Sequence, residues 1–386
     1  MRIFTLTYLF LSLFCLPALA QTTNDFIQPQ LNISSEQSAE LQVALEEFNS
    51  RAENIPTVFE AANLESRQAM TYSINSGSWH EPTTWSCSCI PGSTDDVVIQ
   101  ESHMVNVNSN TEINNLSIQE GGVLSLDGTV ETTLTIHGDW SSAGFVKAGN
   151  MRVAFSNTID QTFTGAAECY DLWITSGNII NIEGSLRVRH HLEFTTGVLD
   201  ATNGELRLGN NDFGPASVIV GSGANYIGEV IREFEISCEV DALHRVGFGL
   251  QGVTVSELIG DFPTSGFLGS DNPNATMSNI QSWNEATFQM DQIQSVDDIL
   301  EPGVGYVIAI PAGTYYVDYK GSLQDFEISL PVFKSNVIAF NLISNPTQAY
   351  IDLALLFDNM TGLEKSVNIY NNETKNYDTY ASGFGV

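Results

Sequence analysis

Basic side chains are scarce: 14 Lys and Arg stand against 46 Asp and Glu in 386 residues, a formal charge of −32 at pH 7. Phosphate backbones and anionic bilayers are held by clustered Lys and Arg that displace counterions, so this balance sets nucleic acid and acidic membrane surfaces aside as partners. No Gly-x-Ser-x-Gly elbow, His-Glu-x-x-His pair or phosphate loop occurs, which removes the mechanisms those motifs carry. Beyond the first twenty residues no apolar run reaches the ~18 to 20 residues of a bilayer span. Apolar residues are nevertheless plentiful, at 42% with 10% aromatic and only 16% charged, which separates this chain from disordered acidic proteins. Abundant Gly (31) and Phe (21), with Thr, Asn, Ser, Val and Ile throughout, favour strands and turns over helices.

Residues 1–20 read as a secretory signal: Arg2 is the positive end, Phe4 to Leu16 the apolar run, and Ala18-Leu19-Ala20 the small-x-small cleavage pattern. Export follows as an expectation, with the secretion machinery as first partner. Cleavage removes Arg2 and no acid, so the mature chain is more acidic still. Cys87, Cys89, Cys169 and Cys238 remain, and an even count in an exported chain favours disulfides. Cys87 and Cys89 lie too close to pair comfortably with one another, so each is expected to reach Cys169 or Cys238. A thiolate metal site with His80 or His103 is the sharper alternative, but it lacks a second Cys-x-x-Cys.

Residues 21–71 form a polar segment. A capping Ser34 or Ser35 and the spacing Leu41, Leu45, Phe48 predict one amphipathic helix, broken near Pro56, with a second helical stretch over Val58 to Met70. The segment reads either as a linker or as a cap over the open end of a β-structure. From residue 97 apolar-x-apolar triplets start at Val97, Leu116, Leu134, Val153, Leu172, Leu192 and Leu206. A second set follows eight residues later at Val105/Val107, Leu124/Leu126 and Ile180/Ile182. A repeat of about 19 residues holding two or three short strands predicts a parallel β-helix over 72–235, right-handed, in preference to an antiparallel sandwich. After Glu235 the beat is lost. Arg245 to Leu250, Gly305 to Ile310, Tyr315 to Tyr319, Asp325 to Leu330 and Val337 to Leu342 predict an antiparallel, sandwich-like β domain over 236–386. The fold class is all-β.

The stretch 77–99, with Gly77, Trp79, Pro82, Thr84, Trp85, Pro91, Asp95, Asp96, Val97 and Ile99, followed by His103, resembles the opening of β-helical modules in secreted and surface proteins of Bacteroidetes. That opening is related to the eight-glycine domain of animal extracellular proteins. Ser102 stands where the family usually has Gly. Segments 266–287, 300–308, 340–353 and 369–380 are similar in cadence to the β module that follows in such proteins. The resemblance implies an extracellular or surface location. It also implies a type IX sorting domain further on, but the chain stops at Val386, so it reads either as a fragment or as lacking that signal.

Several groups invite chemistry. Trp79 and Trp85 read as packing that seals the first coil, with sugar stacking as the sharper alternative. Asp95 and Asp96 are candidate calcium ligands, although directly before a strand such residues ordinarily fix a turn; no other cofactor is implied. If the triplets face inward, one outward column runs Arg152, Asp171, His191, Glu205, and its neighbour Trp173, Glu193, Arg207. An indole beside carboxylates and guanidiniums suits glycan contact; the plainer reading is a solvated face whose opposite charges pair across coils. His190 and His191, adjacent on a strand, are expected on opposite faces, with His190 in the core. Asn32 and Asn274 match an N-glycan acceptor pattern. The resulting expectation is an exported non-catalytic protein serving adhesion, glycan binding or scaffolding, with extracellular glycans or cell-surface components as partners. The alternatives are a secreted polysaccharide hydrolase or lyase, since the related animal proteins include a polysaccharide-degrading group, and a spacer within a larger polypeptide.

Overall fold

The computed structural model describes residues 70–386 except 176, 212–213, 324–331, 333–340, 363, 372–375 and 382–386. The signal segment, the helices expected before residue 70 and the strand expected over 325–330 lie outside the described residues, as does most of 337–342. Residues 70 onward form a β-solenoid of about seven turns with separate antiparallel sheets at its C-terminal side.

Parallel strands stack on three faces. One face runs Met70–Tyr72, Asp96–Ile99, Leu116–Ile118, Trp140–Ser142, the start of Gln161–Ile174, Ile179–Ile182 and the end of Ser185–Asp200. A second runs Thr111–Ile113, Thr133–Ile136, Arg152–Phe155, the end of Gln161–Ile174, the middle of Ser185–Asp200 and the start of Ser217–Ile227. The third begins with Gly77–Ser78, Met104–Val107, Val123–Leu126 and Phe145–Lys147. Its later turns pair residues 166–169 with 185–188, then Glu205–Leu208, then Val230–Cys238.

The beat of 19 in the sequence is therefore a composite of faces. Val97 pairs with Leu116 on the first face, but Leu116 then pairs with Trp140, whereas Leu134 opens the second face's run through Val153, Leu172 and Leu192. Leu206 belongs to the third face, opposite Leu186. Ile180 and Ile182 lie on the first face, not with Val105 and Leu124. An apolar-in alternation recurs on every face, so spacing alone does not tell one face from the next.

The inward side chains make a continuous core in which Val105, Leu124, Leu134, Val153, Leu172, Leu186 and Leu192 are all fully buried. Each contributes roughly 1.5–3 kcal/mol by leaving water. Trp79 and Trp85 are buried too, edge to face at 4.8 Å, with the Trp85 indole N–H donating to the Trp79 carbonyl at 2.6 Å. At the corners the backbone of one turn lies directly on the next. Gly165 has φ +87°, and a Cβ on Gly184 would run into the Gly165 carbonyl oxygen. Ser102, before His103, has φ +64°, a left-handed conformation that glycine adopts more readily than serine.

Val230–Cys238 is parallel to its predecessor and antiparallel to Gly313–Leu323 on its other side. Ala242–Gly247, Gly305–Ile310, Ile280–Asn284 and Gln289–Gln292 form a separate antiparallel sheet, and Ser366–Asn371 with Asn376–Ala381 a hairpin. Among the described residues the one α-helix is Leu353–Asn359, capped by Asp352, whose side chain accepts from the Ala354 and Leu355 amides. No described helix is long and apolar enough to cross a membrane.

The cysteine pairing differs from the expectation. Cys87 is bonded to Cys89, with Cα atoms 5.1 Å apart, and Ser88 at φ +53° turns the chain so that the two sulfurs meet. Cys169 is a free thiol inside the core, where burial pushes its pKa up, and Cys238 is free. A side chain that fills an inward position of a β-helix cannot also reach an exposed loop near its opening.

Candidate functional site

The second face carries Arg152, Asp171, Trp173, His191 and Glu193 of the residues singled out in the sequence, with Asp171 buried among them. Arg152, Asp171 and His191 lie in lateral register, as do Trp173 and Glu193. His191 is followed on the next turn by Ser217, not Glu205, and Glu193 by Ile219, not Arg207. Glu205 and Arg207 sit on the third face, opposite Ser185 and Arg187. Only 14 residues separate Leu192 from Leu206, less than one turn, so the step between them crosses a corner.

A β-bulge reshapes the site. The register between Gln161–Ile174 and Ser185–Asp200 shifts between Cys169 and Asp171, where two intervening residues, Arg189 and His190, face the single residue Tyr170. Val188 and Leu192 point into the core while Arg189, His190 and His191 are all partly exposed. His190 is thus not a core residue: the extra residue cancels the alternation that would have buried it. Its ring stacks on Tyr170 at 4.5 Å and 16°, and its Nδ1 lies 2.7 Å from Asp171 Oδ1. Nor do the two histidines point apart, since their centroids are 6.2 Å from one another. His191 Nδ1 meets Ser217 Oγ at 2.7 Å, and its Nε2 is 3.6 Å from Glu193.

Trp173 is not an open platform. The Arg152 guanidinium lies over its ring, 3.4 Å from the centroid, a cation–π contact that occupies one indole face.

On the third face the charges form a closed ladder. Arg187 and Arg207 are directly opposite on adjacent turns, an arrangement that would repel by itself. Glu233 sits between them, its Oε2 2.7 Å from Arg187 Nε and its Oε1 2.7 Å from Arg207 Nε. Glu168 takes Arg187 from the far side at 2.5 Å and Arg189 at 3.2 Å, while Asp318 takes Arg207 at 2.5 Å. Partial burial penalises the Glu233 carboxylate, but its hydrogen bonds from Arg207 and Arg187 outweigh that and hold its pKa below the ordinary value. Burial likewise works against Arg187 and Arg207, and the hydrogen bonds to Glu233 raise both in the end.

Asp95 and Asp96 are engaged in turns. Asp95 Oδ2 accepts from the Gly92 amide at 2.8 Å, and Asp96 Oδ1 accepts from the side chains of Asn114 and Asn115 at 2.7 and 2.8 Å. His103 contacts Ser73 and His80 contacts Ser109. Among the described residues no group of three or more His, Cys, Asp or Glu converges as a metal site would.

Tyr170, Glu168, Glu233 and Asp318 complete these clusters without having been singled out in the sequence, whereas Arg187 and Arg189 stood out there as two of the few basic residues of the β-helix. A bulge leaves no mark in the apolar pattern, and Asp318 lies 111 positions from its partner Arg207.

Residues 84–190 match the family model of the G8 domain. The matched segment runs from the turn beneath the Trp79–Trp85 pair to His190 at the bulge, and leaves out the antiparallel sheets. No curated protein and no solved structure matches the chain.

Proposed function

We propose that this is an exported, non-catalytic binding protein whose β-helix serves as a rigid scaffold and offers its second face to extracellular glycans, in adhesion. The observation that supports it best is the bulge at Cys169–Asp171, which turns Arg189, His190 and His191 outward together beside Tyr170 and Trp173. Fixed polar groups in one row suit a polymer lying along a sheet, where several hydrogen bonds to hydroxyls act at once, while the Tyr170 and Trp173 rings, covered by His190 and Arg152, hold those groups in place. The G8 match, a domain typical of extracellular proteins, and the signal-like residues 1–20 support a location outside the cell. The motif at 77–103 favours a bacterial surface protein of the Bacteroidetes kind, delivered by type IX secretion when joined to a sorting domain.

A glycan array probed with the secreted protein, read for both retention and depolymerisation, tests this reading. Retention of at least one glycan without cleavage, reduced several-fold by His190→Ala together with His191→Ala, is the expected result. Retention no greater than that of an unrelated acidic protein would refute it, as would shortening of the polymer.

A further inference from the structure

One inward column of the third face runs Cys169, Val188, Leu208 and then Arg232, each in direct register with the next. The first three are fully buried and apolar, and the fourth is an arginine only 6% exposed. Its neighbour Glu233 points the opposite way on the strand and belongs to the ladder, so the carboxylate nearest in sequence is already engaged. The Arg232 guanidinium donates to the Ala216 carbonyl at 2.5 Å and makes no ion pair with a carboxylate of the described residues. In a chain where acids outnumber bases more than threefold, a buried arginine without a carboxylate is unexpected, because such groups are ordinarily neutralised by a partner.

Arg232 lines a cleft of about 620 Å³, within the range of small-molecule sites. Arg245 lines it as well, its guanidinium stacked on Tyr370 at 3.6 Å. Tyr319, Gln348 and Tyr350 contribute rings and an amide, and the exposed Glu235 is the one carboxylate among the described lining residues. The Tyr350 hydroxyl reaches the Pro215 carbonyl at 3.4 Å. Burial lowers the Arg232 pKa from its ordinary value, and an anion bound beside the guanidinium would relieve that cost.

We propose that this cleft binds a small molecule through its carboxylate, with Arg232 taking the carboxylate and the tyrosine rings taking the body of the ligand. A guanidinium matches a planar carboxylate as a two-pronged donor. Two guanidiniums against one carboxylate leave a single net positive charge, which suits a monoanion better than a phosphate dianion. The cleft adjoins the last strand of the second face, where Gln348 accepts from the Val218 amide, but it is not lined by Tyr170, Trp173, His190 or His191 and does not depend on the glycan reading.

Calorimetric titration of the full chain with galacturonate, N-acetyl-tyrosine and benzoate, each against its methyl ester, provides the test. At least one acid is expected to bind at least tenfold more tightly than its ester, and which one it is separates a sugar acid from an amino acid or a simple aromatic acid. Arg232→Gln should weaken that acid at least tenfold and Arg245→Gln several-fold, while Arg187→Gln and His190→Ala leave it unchanged. If no acid exceeds its ester, or if Arg232→Gln binds as the parent does, the proposal fails. Should Arg232→Gln not fold, unchanged binding by both Arg245→Gln and Tyr350→Ala overturns it equally. Loss of glycan retention in the His190 variant with acid binding intact would separate the two sites.

Discussion

Arginines on the two sides of Val230–Cys238 are treated in opposite ways. On the outward side Arg187 and Arg207 share Glu233 and are closed off by Glu168 and Asp318. On the inward side Arg232 has a backbone carbonyl and a cleft. The difference teaches that scarcity of basic residues does not by itself mark function. An arginine whose donors are all met by carboxylates stabilises the turns it bridges, whereas one buried without a carboxylate has binding capacity in reserve.

The largest expected effect comes from breaking the ladder at its centre. Glu233→Leu leaves two guanidiniums side by side, and removal of one partner from a buried charge cluster costs about 3 kcal/mol, somewhat less here because the group is partly exposed. A urea melt should show that loss. The same treatment applied to the cleft should give the opposite sign of contrast. Arg232→Met removes an uncompensated buried cation at the expense of one hydrogen bond to Ala216, so stability should stay within about 1 kcal/mol of the parent or rise. A fall as large as that of Glu233→Leu would show the two arginines to be equivalent after all.

Acid should discriminate further. The folded-state pKa of Glu233 is lowered, so its contribution is fully present above the ordinary carboxylate value of 4.5 and is lost as pH falls through the lower, folded value. Thermal melts should therefore lose stability more steeply below about pH 4.5 in the parent than in Glu233→Gln, whose curve lacks this component. The smallest effect belongs to the Arg152–Trp173 stack. Arg152→Ala should cost about 0.5–1 kcal/mol, as a partly exposed cation–π pair does, and should expose the indole to added quencher in a fluorescence titration.

Much of the architecture was legible because a β-helix writes its core into the sequence as recurring apolar pairs. Val97 with Leu116, and Leu134 through Leu192, were read correctly as stacked inward rows. The faces were not legible, because alternation at Leu116 and Leu134 is identical although one pairs toward Trp140 and the other toward Val153. For the same reason Glu205 and Arg207 were placed beside His191 and Glu193. Of the outward cluster, Arg152, Asp171, Trp173, His191 and Glu193 could be found by counting along strands. Tyr170 and His190 could not, since the bulge that brings them together depends on unequal chain lengths in two turns. The Cys87–Cys89 bond escaped because the left-handed Ser88 that permits it has no compositional sign. Arg232 was hidden for another reason: a single charged residue in Val230-Ile231-Arg232 looks like an ordinary outward position until the register with Leu208 is known.

Val230–Cys238 has a further consequence. A stack of parallel strands is in principle a growing polymer, each turn templating another, and its last edge will accept any strand of suitable length from a second molecule. Here that edge is met by Gly313–Leu323 running the other way, paired over nine successive positions from Val230 to Cys238. Reversal of direction is a terminator: it uses up the open hydrogen bonds of the last third-face strand, and an incoming parallel coil finds no free edge on that strand on which to register.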